Sequence, residues 1–167
     1  MVYIVMGVAG CGKTTVGTML ARRIQACFID ADDYHSQTNI SKIKQGVPLT
    51  DEERRSWLET LSEIVSEYLL RQESLVLACS ALKRKYRKAL TGCSPLGVRF
   101  IYLKCGIETV KHRLALRQDH FAPQSLADSQ FADLEEPHLA FTVDGEMEPE
   151  LIVDIVSKWI HGELCGC

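Results

Sequence analysis

The sequence predicts an α/β domain built on a parallel sheet with helices on both faces. Short apolar runs of strand length alternate with segments of helical hydrophobic spacing along the whole chain. The first run leads directly into Gly7-Val8-Ala9-Gly10-Cys11-Gly12-Lys13-Thr14, a glycine-rich turn that opens a helix. The 167 residues, 46% of them hydrophobic, suffice for one buried core, and no repeat, low-complexity tract or long linker divides them. Residues 1–167 are therefore read as a single domain.

Each element follows from local chemistry. Val2 to Met6 is too short for a helix and reads as the first strand, and Thr15 to Ile24 carries Val16, Met19, Leu20 and Ile24 at helical spacing. Cys27 to Asp30 is a second strand, and the stretch from Asn39 reads as a short helix stopped by Gly46. Thr50 and Glu53 form a capping box that opens a long helix with the stripe Trp57, Leu58, Leu61, Ile64, Val65, Tyr68 and Leu69. Leu75 to Cys79 is the third strand, followed by a basic helix from about Ala81 to Leu90 and a turn-rich break from Gly92 to Gly97. Val98 to Leu103 is the fourth strand, and the helix after it runs through Val110, Leu114 and Arg117. Gln118 to Pro137 is polar and lacks a strand signal, with room for one short helix. A weaker strand near Ala140 to Val143 and an amphipathic helix through Leu151, Ile155 and Trp159 complete the chain.

The formal charge of −3 gives no general pull toward nucleic acid or an anionic membrane, so neither is expected as a partner. No apolar run approaches the roughly 18 to 20 residues that span a bilayer, and a soluble, cytoplasmic protein with a small ligand is expected. Seven cysteines, an odd count with no C-x-x-C pair, argue against a disulfide framework. Cys27, Cys79 and Cys105 read as buried free thiols in or beside strands, whereas Cys11 lies before a helix N-terminus, where the dipole lowers a thiol pKa. The histidines never pair with these cysteines at metal-ligand spacing, so no structural zinc is expected.

The glycine turn matches G-x-x-x-x-G-K-[ST] completely and has the strand and helix context that the motif requires. Gly7, Gly10 and Gly12 let backbone N–H groups, those of Cys11 and Thr15 among them, face phosphate oxygens at the helix N-terminus. Lys13 reaches the β and γ phosphates, and Thr14 can ligate Mg²⁺. This loop alone does not separate a kinase from a GTPase, a motor ATPase or a nucleotide-gated binding module. The third strand ends on Cys79 and Ser80 without an acid, so the metal-side carboxylate must come from "DADDYH". If that chain is extended, Asp30 and Asp32 share one side and Asp33 takes the other. Asp30 then helps to hold Mg²⁺ through water, and Asp32 accepts the proton of an acceptor hydroxyl. Carboxylates suit an alcohol and would repel the anionic oxygen of a nucleoside monophosphate. Capping of a turn is the alternative role for these aspartates, and His35 reads equally as a packed side chain or a substrate contact.

Arg54 lies in the first turn of the long helix, where a cation opposes the dipole, so an outside partner such as a substrate carboxylate is expected. Ser80, Lys83 and Arg87 fall at helical spacing beyond the third strand; Ser80 is placed on polyol hydroxyls and Lys83 or Arg87 on an anion. Arg113 and Arg117 lie one turn apart and lead into a segment with the size and position of a lid. Arg117 is expected on the γ phosphate, and Arg113 on the adenine or the β phosphate.

With "MGVAGCGKTT", "DADDYH", "GVPLTDEERRSWL", "LACSALKRKYR", "FIYLKC", "RLALRQDHF" and "SQFADLEEP" in hand, the chain resembles the small gluconate kinases of the phosphate-loop group, relatives of shikimate kinase. The resemblance implies a P-loop kinase fold with a five-stranded parallel sheet and a mobile lid, ATP and Mg²⁺ as cofactors, and a homodimer. It also implies phosphorylation of D-gluconate to 6-phosphogluconate, which feeds the pentose phosphate pathway. On that basis the substrate-binding region is about 33–72 and the lid about 118–136. Lys13, Asp32 and Arg117 take the catalytic roles, and Arg54 meets the substrate carboxylate, with His35, Ser80, Lys83, Arg87 and His120 as further acceptor contacts. A related kinase for shikimate or another sugar acid, or a nucleotide-binding module without turnover, are the other readings. The chain departs from the family pattern at Cys11, Ser36, Ser56, Asp119 and Ala127, and Asp119 adds negative charge to a lid that closes over phosphates.

Overall fold

The structure is a computed structural model and describes residues 1–92, 94–116 and 124–162. Its strands are β1 (Val2–Met6), β2 (Cys27–Asp30), β3 (Leu75–Ala78), β4 (Val98–Lys104) and β5 (Phe141–Asp144). Its helices are α1 (Lys13–Arg23), α2 (Gln37–Lys44), α3 (Arg55–Leu70), α4 (Arg84–Thr91), α5 (Ile107–Ala115), α6 (Gln124–Asp133) and α7 (Pro149–Ile160). The strands form one sheet in the order β2-β3-β1-β4-β5, every pair parallel. The order reverses beside β1, which places a crevice at the carboxyl ends of β1, β2 and β3.

All of β1 is buried, because both faces of a parallel sheet are covered. Its alternation divides the core in two. Tyr3 and Val5 pack with Val16, Leu20 and Ala21 of α1 and with Ile152, Val153 and Val156 of α7. Val2, Ile4 and Met6 pack with Trp57, Leu58, Leu61 and Val65 of α3 and with Tyr86 and Leu90 of α4. At a site as buried as Leu61, truncation to alanine costs about 2–5 kcal/mol, so the α3 stripe is a main anchor of that face.

Several boundaries differ from the sequence expectation for identifiable reasons. The Thr50–Glu53 box does form, with the Glu53 N–H donating to Thr50 Oγ1 at 3.3 Å and the Thr50 N–H to Glu53 Oε2 at 2.8 Å. It closes a turn, and the regular helix begins only at Arg55. Ala81 adopts φ 45°, a left-handed conformation that delays α4 to Arg84, so Ser80, Lys83 and Arg87 share no helical stripe. In α7 the buried face is Ile152, Val153 and Val156; Ile155 and Trp159 pack partly and Leu151 is exposed. Cys79 and Cys105 are buried as expected, but Cys27 on the edge strand is exposed. Ser36 caps α2 by accepting the Asn39 N–H at 3.2 Å. The buried Asn39 side chain then donates to the Glu53 carbonyl at 2.8 Å and ties α2 to the turn before α3. No described helix is long and apolar enough to cross a membrane.

Candidate active site

The phosphate loop leaves the carboxyl end of β1 and ends at Gly12, which caps α1 at φ 98° with no side-chain cap bond. The first-turn N–H groups of α1 are thus left to an anion. Gly7 cannot be replaced, since at φ 145° a Cβ would lie 2.7 Å from Cys11 Sγ and 2.9 Å from the Leu103 carbonyl oxygen. Lys13 folds back over the loop, its Nζ donating to the Val8 carbonyl at 3.0 Å. Thr14 Oγ1 donates to Asp30 Oδ2 at 2.7 Å, and Asp30 Oδ1 accepts the Asp32 N–H at 3.1 Å. Past Asp30 the chain is a 3₁₀ turn over Ala31–Tyr34 and is not extended. The expected alternation of the acids therefore fails: Asp30 serves the phosphate loop, while Asp32 and Asp33 both line the neighbouring cavity.

That cavity, about 650 Å³, is walled by Asp32, Asp33, His35, Arg54, Trp57 and Ser80 on one side and by Ser129, Gln130 and Asp133 of α6 on the other. Ala9 of the phosphate loop also lines it, and the Ala9 N–H donates to Gln130 Oε1 at 2.6 Å. His35 stacks on Trp57 with ring centroids 4.3 Å apart and planes 13° from parallel. The Trp57 indole N–H donates to the Ala31 carbonyl at 2.7 Å, which fixes the platform against the acidic turn. Burial pushes the His35 pKa below its usual range, Asp32 opposing and Arg54 adding to the shift. His35 Nδ1 is buried and has no hydrogen-bond partner among the described residues.

Arg54 caps α3 without a side-chain cap bond, as its charge requires, and turns to other partners. Its Nη1 donates to the Tyr86 hydroxyl at 2.9 Å and lies 3.7 Å from Asp133 Oδ2. The Tyr86 hydroxyl donates onward to Asp51, which also pairs with Lys85 and sits 3.6 Å from Lys83 Nζ. Lys83 Nζ is 3.1 Å from Asp133 Oδ1. Burial lowers the Lys83 pKa, but the Asp133 hydrogen bond and the charges around it outweigh that and the net shift is upward. Arg87 is absorbed elsewhere: its Nη1 donates to the carbonyls of Ala81 and Leu82 at 2.9 and 2.7 Å. These bonds brace the loop before α4, and Arg87 is not among the described residues that wall the cavity.

Across the α1 N-terminus lies a second pocket of about 300 Å³, lined by Gly10, Cys11, Gly12, Thr15, Arg113 and Gly145 among others. Arg113 donates to the Gly145 carbonyl at 2.9 Å, so it stands on the loop side away from the acceptor cavity. Cys11 is 1% exposed, and a hydrogen bond from Cys105, helped by the Lys13 charge, holds its thiol pKa below the usual range against the opposing effect of burial. Arg117 and His120 lie outside the described residues, as does the first part of the expected lid. Tyr86, Asp51, Gln130 and Asp133 were not expected from the sequence; they are brought in by contacts between distant segments.

A phosphate loop that opens into a walled cavity with its own acid and its own cation is the organisation of a small-molecule phosphotransferase on a P-loop scaffold. The shikimate kinase family model matches residues 9–140. A gluconokinase from Arabidopsis thaliana is 37% identical, covering 98% of this chain and 94% of the relative. The solved gluconokinase from Sinorhizobium meliloti 1021 superposes with a TM-score of 0.82 at 32% identity, covering 98% of this chain and 97% of that one. A solved sugar kinase from Janibacter sp. HTCC2649 superposes with a TM-score of 0.88 at 38% identity, over 96% of this chain and 94% of that one. The chain belongs to the shikimate kinase family and, within it, to the gluconokinases.

Proposed function

We propose that the protein phosphorylates D-gluconate with ATP to give 6-phospho-D-gluconate, for use in the pentose phosphate pathway. The observation that carries this reading is that Asp32 and Arg54 line one cavity, with the phosphate loop residue Ala9 at its edge. A sugar acid has a carboxylate for the guanidinium and a hydroxyl for the carboxylate base. Asp32 takes the proton as the hydroxyl oxygen attacks the γ phosphorus; the new O–P bond forms, the β–γ bridging bond breaks and ADP leaves. Asp33, His35 and Ser80, which share the cavity, take the remaining hydroxyls. His35, kept neutral by burial, can both donate and accept there.

The glycine loop and the uncapped α1 N-terminus suit the phosphates, and Lys13 exchanges the Val8 carbonyl for a phosphate oxygen. The Thr14 hydroxyl and the Asp30 carboxylate, already 2.7 Å apart, are the groups that would hold Mg²⁺. When bound, that ion offsets charge on the phosphates. Among the described residues no three His, Cys, Asp or Glu side chains converge on one point, which suits an ion held mostly by water and phosphate. Arg113 belongs to the nucleotide base side. In the same reading region 33–72 binds substrate, Arg117 at the entry to the lid at 118–136 meets the γ phosphate, His120 contacts the acceptor, and the protein works as a cytoplasmic homodimer.

The test is an acceptor panel with coupled detection of ADP. Turnover of gluconate with no turnover of shikimate supports the reading, and the reverse order overturns it.

A further inference from the structure

Asp133, the last residue of α6, is shared by two cations at the acceptor cavity. Lys83 Nζ lies 3.1 Å from its Oδ1 and Arg54 Nη1 lies 3.7 Å from its Oδ2. Among the described residues it is the one carboxylate within ion-pair distance of Arg54. The Arg54 side chain is only 16% exposed, and a cation so far out of water needs a counter-ion. Asp133 itself is 35% exposed and lines the cavity, so it can return to solvent at small cost. Its separation from Arg54 exceeds a hydrogen bond, which marks the pair as a loose one. One helical turn earlier, Gln130 Oε1 holds the Ala9 N–H of the phosphate loop at 2.6 Å. One face of α6 thus lays an oxygen on a donor at each end of the cavity.

We propose that Asp133 is an internal counter-ion that occupies the place of the acceptor's carboxylate and is displaced by it from Arg54 and Lys83. The inference rests on the gluconate reading and adds a residue that sets acceptor affinity. Exchange of one carboxylate for another keeps the cations paired throughout, whereas a neutral polyol offers no replacement.

The test is calorimetric binding of gluconate and of its neutral analogue glucitol to the wild type, Asp133→Asn and Asp133→Ser. Asp128→Asn, which removes another α6 charge, one paired with Lys111 of α5, serves as the control. Removal of the competitor is expected to tighten gluconate binding roughly three- to tenfold in both Asp133 variants, with glucitol binding unchanged and the Asp128 variant like the wild type. Unchanged or weaker gluconate binding in folded Asp133 variants overturns the proposal, as does equal tightening for glucitol, which would indicate a general opening of the cavity. A wild type that fails to bind gluconate overturns the function itself and the inference with it.

Discussion

The Arg54 guanidinium donates to the Tyr86 hydroxyl at 2.9 Å, across 32 positions of sequence, and that hydroxyl passes the bond on to Asp51. The cation of the acceptor cavity is therefore held from behind by α4. Tyr86→Phe keeps the ring that lies 5.5 Å from the guanidinium carbon and removes only the oxygen. The expected result is a rise of several-fold in KM for gluconate with kcat nearly unchanged, and a loss of about 0.5–1.5 kcal/mol in urea unfolding. Steady-state kinetics and a urea titration check both.

Asp32→Asn removes the base and keeps the shape. Turnover should fall by roughly 10² or more, while ATP affinity, measured by calorimetry, stays near that of the wild type. Unchanged turnover would remove Asp32 from proton transfer.

His35 gives a pH signature. Burial depresses its folded-state pKa below the ordinary 6.5, so on acidification the unfolded chain takes up the proton first. The stabilisation from keeping this ring neutral is complete above about pH 6.5 and is lost as the pH falls through the depressed folded value. Urea midpoints of the wild type and His35→Gln measured from pH 7.5 to 5 should converge toward acid. Parallel curves would show that this ring does not titrate differently in the folded protein.

Asp30 touches the phosphate loop through Thr14, and Asp30→Asn retains a hydrogen-bonding group there. The Mg²⁺ concentration for half-maximal rate should rise several-fold, with gluconate KM little changed. An unaltered Mg²⁺ requirement would assign Asp30 to the turn alone.

What the sequence made legible is local. The phosphate loop is contiguous, and its glycines have left-handed or otherwise glycine-specific backbone that no other pattern explains. The long-helix stripe and the out-of-place cation at Arg54 are likewise visible within a few turns. Residues that act through distant contacts were hidden: Tyr86 reaches Arg54 and Asp51 from another helix, and Asp133 meets Arg54 only because α6 folds over the cavity. Two misreadings came from assuming regular backbone. A single left-handed residue, Ala81, took Arg87 off the expected stripe, and the 3₁₀ turn after Asp30 rearranged the acids. Cys27 was misplaced because an edge strand reads like an inner one until the strand order is known.

The central claim is that one cavity grips a sugar acid by its carboxylate at Arg54 and activates its hydroxyl at Asp32. The most direct measurement is the ratio of kcat/KM for gluconate over glucitol in the wild type and in Arg54→Leu. A guanidinium–carboxylate pair in this setting predicts a strong preference for gluconate that collapses by roughly 10- to 100-fold in the variant. A preference that survives loss of Arg54 would contradict the account.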